Sequence, residues 1–311
     1  MAFVVPKETY SGKIYEVTIG KGDKAVTVGG ENTLPFLTFE GEVPNRPAIA
    51  YEIQDIAPDD WPATVANVYK EVSSNPVTWA KFCQDTLGAK AIALRLIGTH
   101  PDRGDASPEA AAKVVADVLA AISVPLIILG SNHIEKDGPV LKAAAEAAKD
   151  SGAVLGKAQQ ENYKTIVAAA AANNLRLVCM SQLDVNLAKQ LNILTTQMGF
   201  DKEKILMDPM SSALGYGIEY TYSVMERIRL AALQTNDPMM QTPMIADIGA
   251  NVWKAKETAA DIAEWGDVAQ RGITWEATTG VSMLLAGAEL LVMRHPEAVA
   301  VVERTIDELM Q

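Results

Sequence analysis

Four titratable residues of this chain have types and positions that could support catalysis. Glu52, Asp208 and Asp247 lie at the ends of short apolar runs, and Lys157 ends another. A pair of such carboxylates could act as a general acid and base, and a desolvated lysine could form a Schiff base. The alternative is structural, with the lysine paired to a carboxylate inside the fold and the carboxylates orienting loops or capping helices. The sequence leaves both roles open.

All three histidines, His100, His133 and His295, also follow apolar runs. Together with Asp208 or Asp247 they could coordinate zinc, iron or nickel, because neutral imidazole suits these metals. The alternative is that each histidine caps or polarises a loop. We predict no metal site, and a metal-assisted enzyme that uses the three histidines stays a rival hypothesis.

Neutral hydrogen-bonding side chains are more numerous than titratable ones at the ends of the same runs. They are Thr99, Ser131, Asn132, Gln159, Gln160, Asn162, Ser181, Gln182, Ser211, Ser212 and Asn251. Amides and hydroxyls suit ligands that are rich in amides or rings, and they are poor at proton transfer. This set indicates a binding platform rather than an acid–base site.

Eight apolar runs, each followed by a helical pattern, must position these residues. The runs are 48–53, 91–96, 126–129, 154–157, 175–180, 205–208, 244–248 and 290–293. Runs that are apolar on both faces and alternate with helices indicate a parallel sheet buried under helices. Eight such units predict an α/β fold, a (β/α)8 TIM barrel, in which the loops after the strands share one mouth. We expect the helix after the third run to cover residues 140–149.

Composition narrows the class of partner. The net charge of −12 over 311 residues argues against nucleic acid and against an anionic membrane surface. No apolar run approaches the roughly 20 residues of a membrane span, and residues 1–13 lack the pattern of a signal peptide, so we expect a cytoplasmic protein. The two cysteines, Cys83 and Cys179, lie in apolar segments and cannot supply the four ligands of an iron–sulfur cluster.

Residues 1–45 differ from the rest of the chain. Alternating residues on both sides of the turn at 20–23 predict a β-hairpin, which is too small to fold alone. We therefore predict an N-terminal extension over 1–45 and a barrel over 46–311. The extension is expected to cap the bottom of the barrel or to mediate an oligomer contact.

Two stretches near the sixth run carry a specific resemblance. DPMSSALGYGIEY at 208–220 and YSVMERIRL at 222–230 closely resemble the small subunit of corrinoid iron–sulfur proteins, the delta subunit of the CO dehydrogenase/acetyl-CoA synthase system. The likeness extends over the whole chain, including the N-terminal hairpin, LIGT at 96–99 and GSN at 130–132.

The resemblance implies a TIM barrel that pairs with a large subunit carrying a [4Fe–4S] cluster and a corrinoid domain. It implies a cobamide shared between that domain and the mouth of this barrel. A separate methyltransferase would transfer a methyl group from methyltetrahydrofolate to cobalt, and acetyl-CoA synthase/CO dehydrogenase would receive it in the Wood–Ljungdahl pathway. This chain would then cover the corrin and need no catalytic residue. From the barrel-mouth rule, the candidate cofactor-binding residues are Thr99, Ser131, Asn132, Gln160, Asp208, Ser211 and Asn251.

Observations on the residues agree with this expectation. Two cysteines leave the cluster to another chain, and the sequence lacks the Asp-x-His-x-x-Gly motif by which many corrinoid domains present a histidine to cobalt. A second rival hypothesis is a pterin-binding methyltransferase on the same barrel, with Asn132 and Asp208 contacting the pterin ring.

Overall fold

The N-terminal segment forms the predicted hairpin. The computed structural model describes residues 4–311. Strands β1 (Val17–Ile19) and β2 (Val26–Val28) pair antiparallel, with Val17 opposite Val28. The side chains of Val17, Ile19 and Val28 are fully buried.

Eight further strands are parallel and close into a barrel, which confirms the predicted fold class. They are β3 (Ala48–Gln54), β4 (Ala91–Arg95), β5 (Leu126–Leu129), β6 (Val154–Ala158), β7 (Arg176–Met180), β8 (Ile205–Asp208), β9 (Met244–Asp247) and β10 (Ala288–Met293). Their order around the barrel follows the chain, and β10 pairs with β3 to close it. Nearly every strand residue is buried, as expected when helices cover a parallel sheet.

Helices alternate with these strands. They are α1 (Ala63–Tyr69), α2 (Pro76–Asp85), α3 (Pro108–Ala121), α4 (Ile134–Ala147), α5 (Tyr163–Ala172), α6 (Val185–Gln197), α7 (Ile218–Leu233), α8 (Gly249–Val252), α9 (Val268–Ala286) and α10 (Pro296–Leu309). Asn75 and Ser107 accept backbone N–H groups at the starts of α2 and α3, each just before a proline in the first turn. Within residues 4–311, the helices lack the length and apolar character needed to span a membrane.

The helix after β5 begins earlier than the sequence predicts. α4 starts at Ile134, whereas the sequence pattern suggested 140–149. His133 Nδ1 accepts the N–H of Lys136 and caps the earlier turn, and Pro139 lies inside the helix. Proline at that position removes one backbone hydrogen bond, which the packing of α4 against α3 and α5 tolerates.

The hairpin packs against the amino-terminal end of the barrel, opposite the mouth. Val17, Ile19 and Val28 join the interior core, which is built from side chains of all eight barrel strands. The N–H of Gly20 donates to the carbonyl of Gly152 (2.8 Å), just before β6, and a Cβ on Gly152 would lie 2.3 Å from the Gly20 oxygen. The hairpin therefore closes the bottom of the barrel and leaves the mouth as the open end.

Candidate functional site

The floor of the mouth is a network of six buried charged side chains. They are Glu52, Arg95, Lys157, Asp208, Asp247 and Arg294. Each comes from the carboxyl end of a barrel strand or from the residue after it, and each is at most 7% exposed. Three carboxylates and three cations make this floor electrically neutral, and we call it the ionic floor.

The contacts of the ionic floor link strands from opposite sides of the barrel. Arg95 Nε donates to Glu52 Oε1 (2.9 Å), and Arg95 Nη2 donates to both carboxylate oxygens of Asp247 (2.9 and 2.7 Å). Lys157 Nζ lies 2.6 Å from Asp247 Oδ2 and 2.7 Å from Asp208 Oδ2. Arg294 donates through Nε and Nη2 to the two oxygens of Glu52 (3.0 and 2.9 Å).

This pairing fixes the charges of the floor. Burial alone would raise the pKa of Glu52, but Arg294 and Arg95 outweigh burial and hold that pKa below its ordinary value. For Asp247, burial is likewise outweighed by Arg95 and Lys157, and its pKa is lowered well below the ordinary value. Burial would lower the pKa of Lys157, yet Asp208 and Asp247 raise it. The geometry favours the structural role of these groups, because acid–base or Schiff-base chemistry needs a proton or an amine that they do not offer near neutral pH.

The partly buried carboxylate of Asp55, in the loop after β3, stabilises the loop after β4. Burial raises the pKa of Asp55 to about 6, although the carboxylate accepts several backbone N–H groups, including that of Gly98 at 2.8 Å. A second buried acid, Glu276 of α9, accepts the N–H groups of Arg294 (2.7 Å) and His295 (2.9 Å), and burial raises its pKa to about 7. By accepting backbone N–H groups, these two carboxyl groups fix the conformation of loops at the mouth.

The hydroxyl groups of two predicted binding residues form hydrogen bonds within the protein. Thr99 is fully buried, and its Oγ1 donates to the carbonyl of Leu96 (2.8 Å). Ser131 Oγ donates to Asp137 Oδ1 (2.8 Å), which also accepts the Ser131 N–H. Asp208 belongs to the ionic floor rather than to the rim.

The other predicted residues lie on the rim or just beneath it. Asn132 and Gln160 are exposed after β5 and β6, and Asn132 has a left-handed backbone with φ of 69°. Asn251 Nδ2 donates to the carbonyl of Ser211 (2.7 Å), which joins the loops after β9 and β8. The Ser211 side chain is 3% exposed, and its Oγ has no hydrogen-bond partner within residues 4–311.

A cavity of about 340 Å³ opens at the mouth between the loops after β3, β4 and β5. Its polar and charged lining residues are Gln54, Asp60, Arg95, His100, Asp102, Arg103, Ser131, Asn132, Lys254 and Arg294. Ser131 and Asn132 are the predicted residues that line it. Gln54 and Arg95 were not among the residues predicted from the sequence. A lone arginine inside an apolar strand pattern was the available signal for Arg95, since a buried cation requires a carboxylate partner.

The three histidines serve as local caps. The Nδ1 atoms of His100, His133 and His295 accept the backbone N–H groups of Asp102, Lys136 and Glu297, at 3.1 to 3.3 Å. The rings of His100 and His133 touch edge to face, with centroids 5.4 Å apart, whereas His295 packs near Trp253. Within residues 4–311, no group of three or more histidine, cysteine, aspartate or glutamate side chains is placed to hold a metal ion.

The loops after β8 and β9 form one aromatic edge of the rim. Tyr216 Oη donates to Glu257 Oε2 (2.9 Å) and accepts the N–H of Lys256 (3.1 Å), so the two loops are tied together. The side chains of Tyr216, Tyr220 and Trp265 are 52%, 65% and 40% exposed. The motif that carried the resemblance therefore presents aromatic surface beside the mouth.

Comparisons with known proteins agree on one family. A family model described as CO dehydrogenase/acetyl-CoA synthase delta subunit matches residues 16–307. The delta subunit of the acetyl-CoA decarbonylase/synthase complex from Methanothermobacter thermautotrophicus is 37% identical over 299 residues, which cover 96% of this chain and 76% of the relative. The corresponding subunit from Archaeoglobus fulgidus is 37% identical over 97% of this chain and 70% of the relative.

Solved structures of dihydropteroate synthases share the fold. The enzyme from Xanthomonas albilineans with 4-aminobenzoic acid superposes with a TM-score of 0.56 at 14% identity, covering 88% of this chain and 98% of that one. The Coxiella burnetii enzyme in complex with pteroic acid gives a TM-score of 0.57 at 11% identity, covering 89% and 98%. At this identity the likeness shows the barrel fold alone.

Proposed function

Since this chain belongs to the CO dehydrogenase/acetyl-CoA synthase delta subunit family, we propose that it is the small subunit of a corrinoid methyl carrier. In this role its barrel mouth covers a cobamide that is shared with a large subunit. The large subunit carries the [4Fe–4S] cluster and the corrinoid domain. A methyltetrahydrofolate methyltransferase and acetyl-CoA synthase/CO dehydrogenase are the donor and acceptor partners, as in the Wood–Ljungdahl pathway.

The observation that carries the proposal is the chemical character of the mouth. Six buried charged groups pair with one another in the ionic floor, and the rim presents neutral amides such as Asn132 and Gln160 beside the charged side chains of Asp60, Asp102, Arg103 and Lys254. Amide donors and acceptors above a floor of mutually paired charges suit a large polar ligand that is held by hydrogen bonds. A carrier subunit needs such a surface, because a stray proton donor would compete with the transferred group.

The residues present fit a corrin, whose periphery carries carboxamide groups. Asn132 and Gln160 can exchange hydrogen bonds with such groups, and the buried, unpartnered Oγ of Ser211 supplies another donor and acceptor. When bound, the cobamide supplies a cobalt centre that accepts and donates a methyl group. The protein groups hold the ring edge, exclude water and keep protons away from it.

The cysteines are consistent with a cluster on the partner. Cys83 and Cys179 are both buried, and burial raises the pKa of Cys179 to about 12. Thiols in this environment are poor metal ligands, because the thiolate form is the ligand. We therefore assign the [4Fe–4S] cluster to the large subunit in this proposal.

Co-purification from anaerobic cells tests the proposal. We expect the isolated chain to be colourless and the tagged chain to bring down a larger subunit with cobamide and about four irons. Asn132→Asp adds a negative charge at the mouth and should lower cobamide occupancy by about two- to tenfold, the range expected for one hydrogen bond. Asn174→Asp is the matched control, since Asn174 is also exposed and left-handed but lies before β7 at the barrel bottom.

Turnover of methyltetrahydrofolate by the isolated chain would refute the carrier role and favour the pterin-binding methyltransferase. The contacts of Asp208 already argue against that rival. Its carboxylate is fully buried and pairs with Lys157, and its Oδ1 accepts the N–H of Met210 (2.8 Å), so Asp208 lies in the ionic floor rather than on a surface exposed to a pterin.

A further inference from the structure

The loops that follow three neighbouring strands each carry a buried polar atom without a hydrogen-bond partner in the part of the chain that the structure describes. The atoms are Asn162 Nδ2 after β6, Ser181 Oγ after β7 and Ser211 Oγ after β8, and none of them has a hydrogen-bond partner within residues 4–311. Their side chains are 8%, 1% and 3% exposed. Buried hydroxyl and amide groups are normally paired, because leaving them unpaired costs free energy.

Backbone hydrogen bonds place the loops of Ser181 and Ser211 side by side at the mouth, and a side-chain bond between Gln182 and Gln159 joins the loop of Asn162 to them. The N–H of Ser181 donates to the carbonyl of Asp208 (3.0 Å), and the N–H of Leu183 donates to that of Pro209 (2.9 Å). These bonds join the ends of β7 and β8. Because adjacent strands are about 4.8 Å apart, the edge from β6 to β8 spans about 10 Å.

The same edge already binds a carboxamide of the protein itself. Gln182 Nε2 donates to Gln159 Oε1 (2.8 Å), which joins the ends of β7 and β6. Gln159 is 4% exposed, and its N–H donates to Asn162 Oδ1 (2.8 Å). The Gln182 side chain is exposed, so rotation about its own bonds can release Gln159 without unfolding the loop.

We propose that Asn162, Ser181 and Ser211 form a carboxamide subsite, which takes the carboxamide groups along one edge of a corrin ring. This inference rests on the proposed function and assigns the ring edge to the β6–β8 side of the mouth. Asn162 Nδ2 donates to a ligand carbonyl, and the two serine hydroxyls exchange hydrogen bonds with neighbouring amides. The side chain of Gln182 moves aside when the ligand binds.

The subsite predicts opposite effects on ligand binding and on stability. Ser181→Ala and Ser211→Ala remove an unpaired buried hydroxyl, so the melting temperature of the ligand-free chain should stay unchanged or rise. The same substitutions should weaken the binding of cyanocobinamide, a corrinoid that retains the peripheral carboxamides, by about two- to tenfold each. A purely structural hydroxyl would lower the melting temperature when removed.

The experiment compares the complex of this chain with its co-purified large subunit, stripped of corrinoid and reloaded with cyanocobinamide. Asn162→Asp is a further variant, because it removes the Nδ2 donor and keeps the oxygen that accepts the Gln159 N–H. Ser282→Ala is the control, since this hydroxyl donates to Thr278 within α9 on the outside of the barrel. Bound corrinoid is measured by its visible absorbance after ultrafiltration.

Each outcome decides between the inference and its premise. Weaker binding in the three mouth variants, with the Ser282→Ala complex unchanged, supports the subsite. Unchanged binding in all variants overturns the subsite and leaves the proposed function standing. A wild-type complex that neither co-purifies with cobamide nor binds cyanocobinamide overturns the proposed function itself.

Discussion

Replacing Asp247 with asparagine tests the ionic floor most directly. Asp247 is 3% exposed and pairs with both Arg95 and Lys157. The substitution preserves the shape of the side chain and leaves three cations facing two carboxylates. Breaking a buried ion pair by removing one partner typically costs about 3–5 kcal/mol.

The expected loss corresponds to a large shift in thermal unfolding. At about 2 °C per kcal/mol for a chain of this size, Asp247→Asn should lower the melting temperature by roughly 6–10 °C. The measurement is thermal unfolding of the full-length chain at pH 7, followed by circular dichroism. Asp85→Asn serves as the control, because this exposed carboxylate lies 3.4 Å from Lys81 and should change little.

The pH dependence adds a second requirement. Arg95 and Lys157 outweigh burial and keep the pKa of Asp247 well below its ordinary value. A lowered carboxyl pKa contributes stability that is fully present above the unfolded-state pKa of about 4 and is lost as the pH falls through the folded pKa. The difference in stability between the wild-type chain and Asp247→Asn should therefore be constant between pH 6 and 8.

A double variant separates charge balance from local packing. Lys157→Met added to Asp247→Asn restores equal numbers of buried carboxylates and cations. Its loss of stability should be smaller than the sum of the two single losses by about 1 kcal/mol or more. An Asp247→Asn chain as stable as the wild type, or a difference that changes between pH 6 and 8, would refute the ionic floor as described.

Two other predictions concern the supports of the barrel. Burial raises the pKa of Glu276 to about 7, above its value in the unfolded chain. The folded state therefore binds the proton more tightly, and the free energy of unfolding of the wild-type chain should fall by about 3 kcal/mol as the pH rises from 5 to 8. Urea unfolding of Glu276→Gln should lack this loss, and an identical pH slope in both chains would contradict the assignment. The side chain of Ile19 in the hairpin is fully buried, and Ile19→Ala should lower the free energy of unfolding by about 2–5 kcal/mol in the same assay. Thr18→Ala, at an exposed position of the same strand, is the control. If Ile19→Ala changes stability no more than Thr18→Ala does, the hairpin does not stabilise the barrel core.

Local sequence patterns predicted the elements of this fold well. The eight apolar runs became the eight barrel strands, because strands buried on both faces need apolar residues at every position. Asn75 and Ser107 cap the starts of α2 and α3 by an equally local mechanism, since their side chains accept N–H groups two or three residues ahead. The predicted start of α4 was wrong, because the side chain of His133 caps an earlier turn and the helix continues through Pro139.

Local sequence patterns could not predict which charged groups pair with one another. The sequence placed Glu52, Asp208, Asp247 and Lys157 at strand ends and left catalysis and pairing open. Closure of the barrel brings Arg95 against Glu52, 43 residues away, and against Asp247, 152 residues away. The choice between the two roles depends on these distances, because a buried charge is stable only with a partner.

The sequence by itself determined the barrel, the hairpin, the family resemblance and the many amide and hydroxyl side chains that follow the strands. These properties follow from residue type and spacing along the chain. Tertiary structure alone decided that the hydroxyls of Thr99 and Ser131 are used within their own loops, whereas that of Ser211 is left without a partner within residues 4–311. The physical reason is that hydrogen bonds and ion pairs act over about 3 Å, and only the closed barrel sets distances on that scale between residues far apart in the chain.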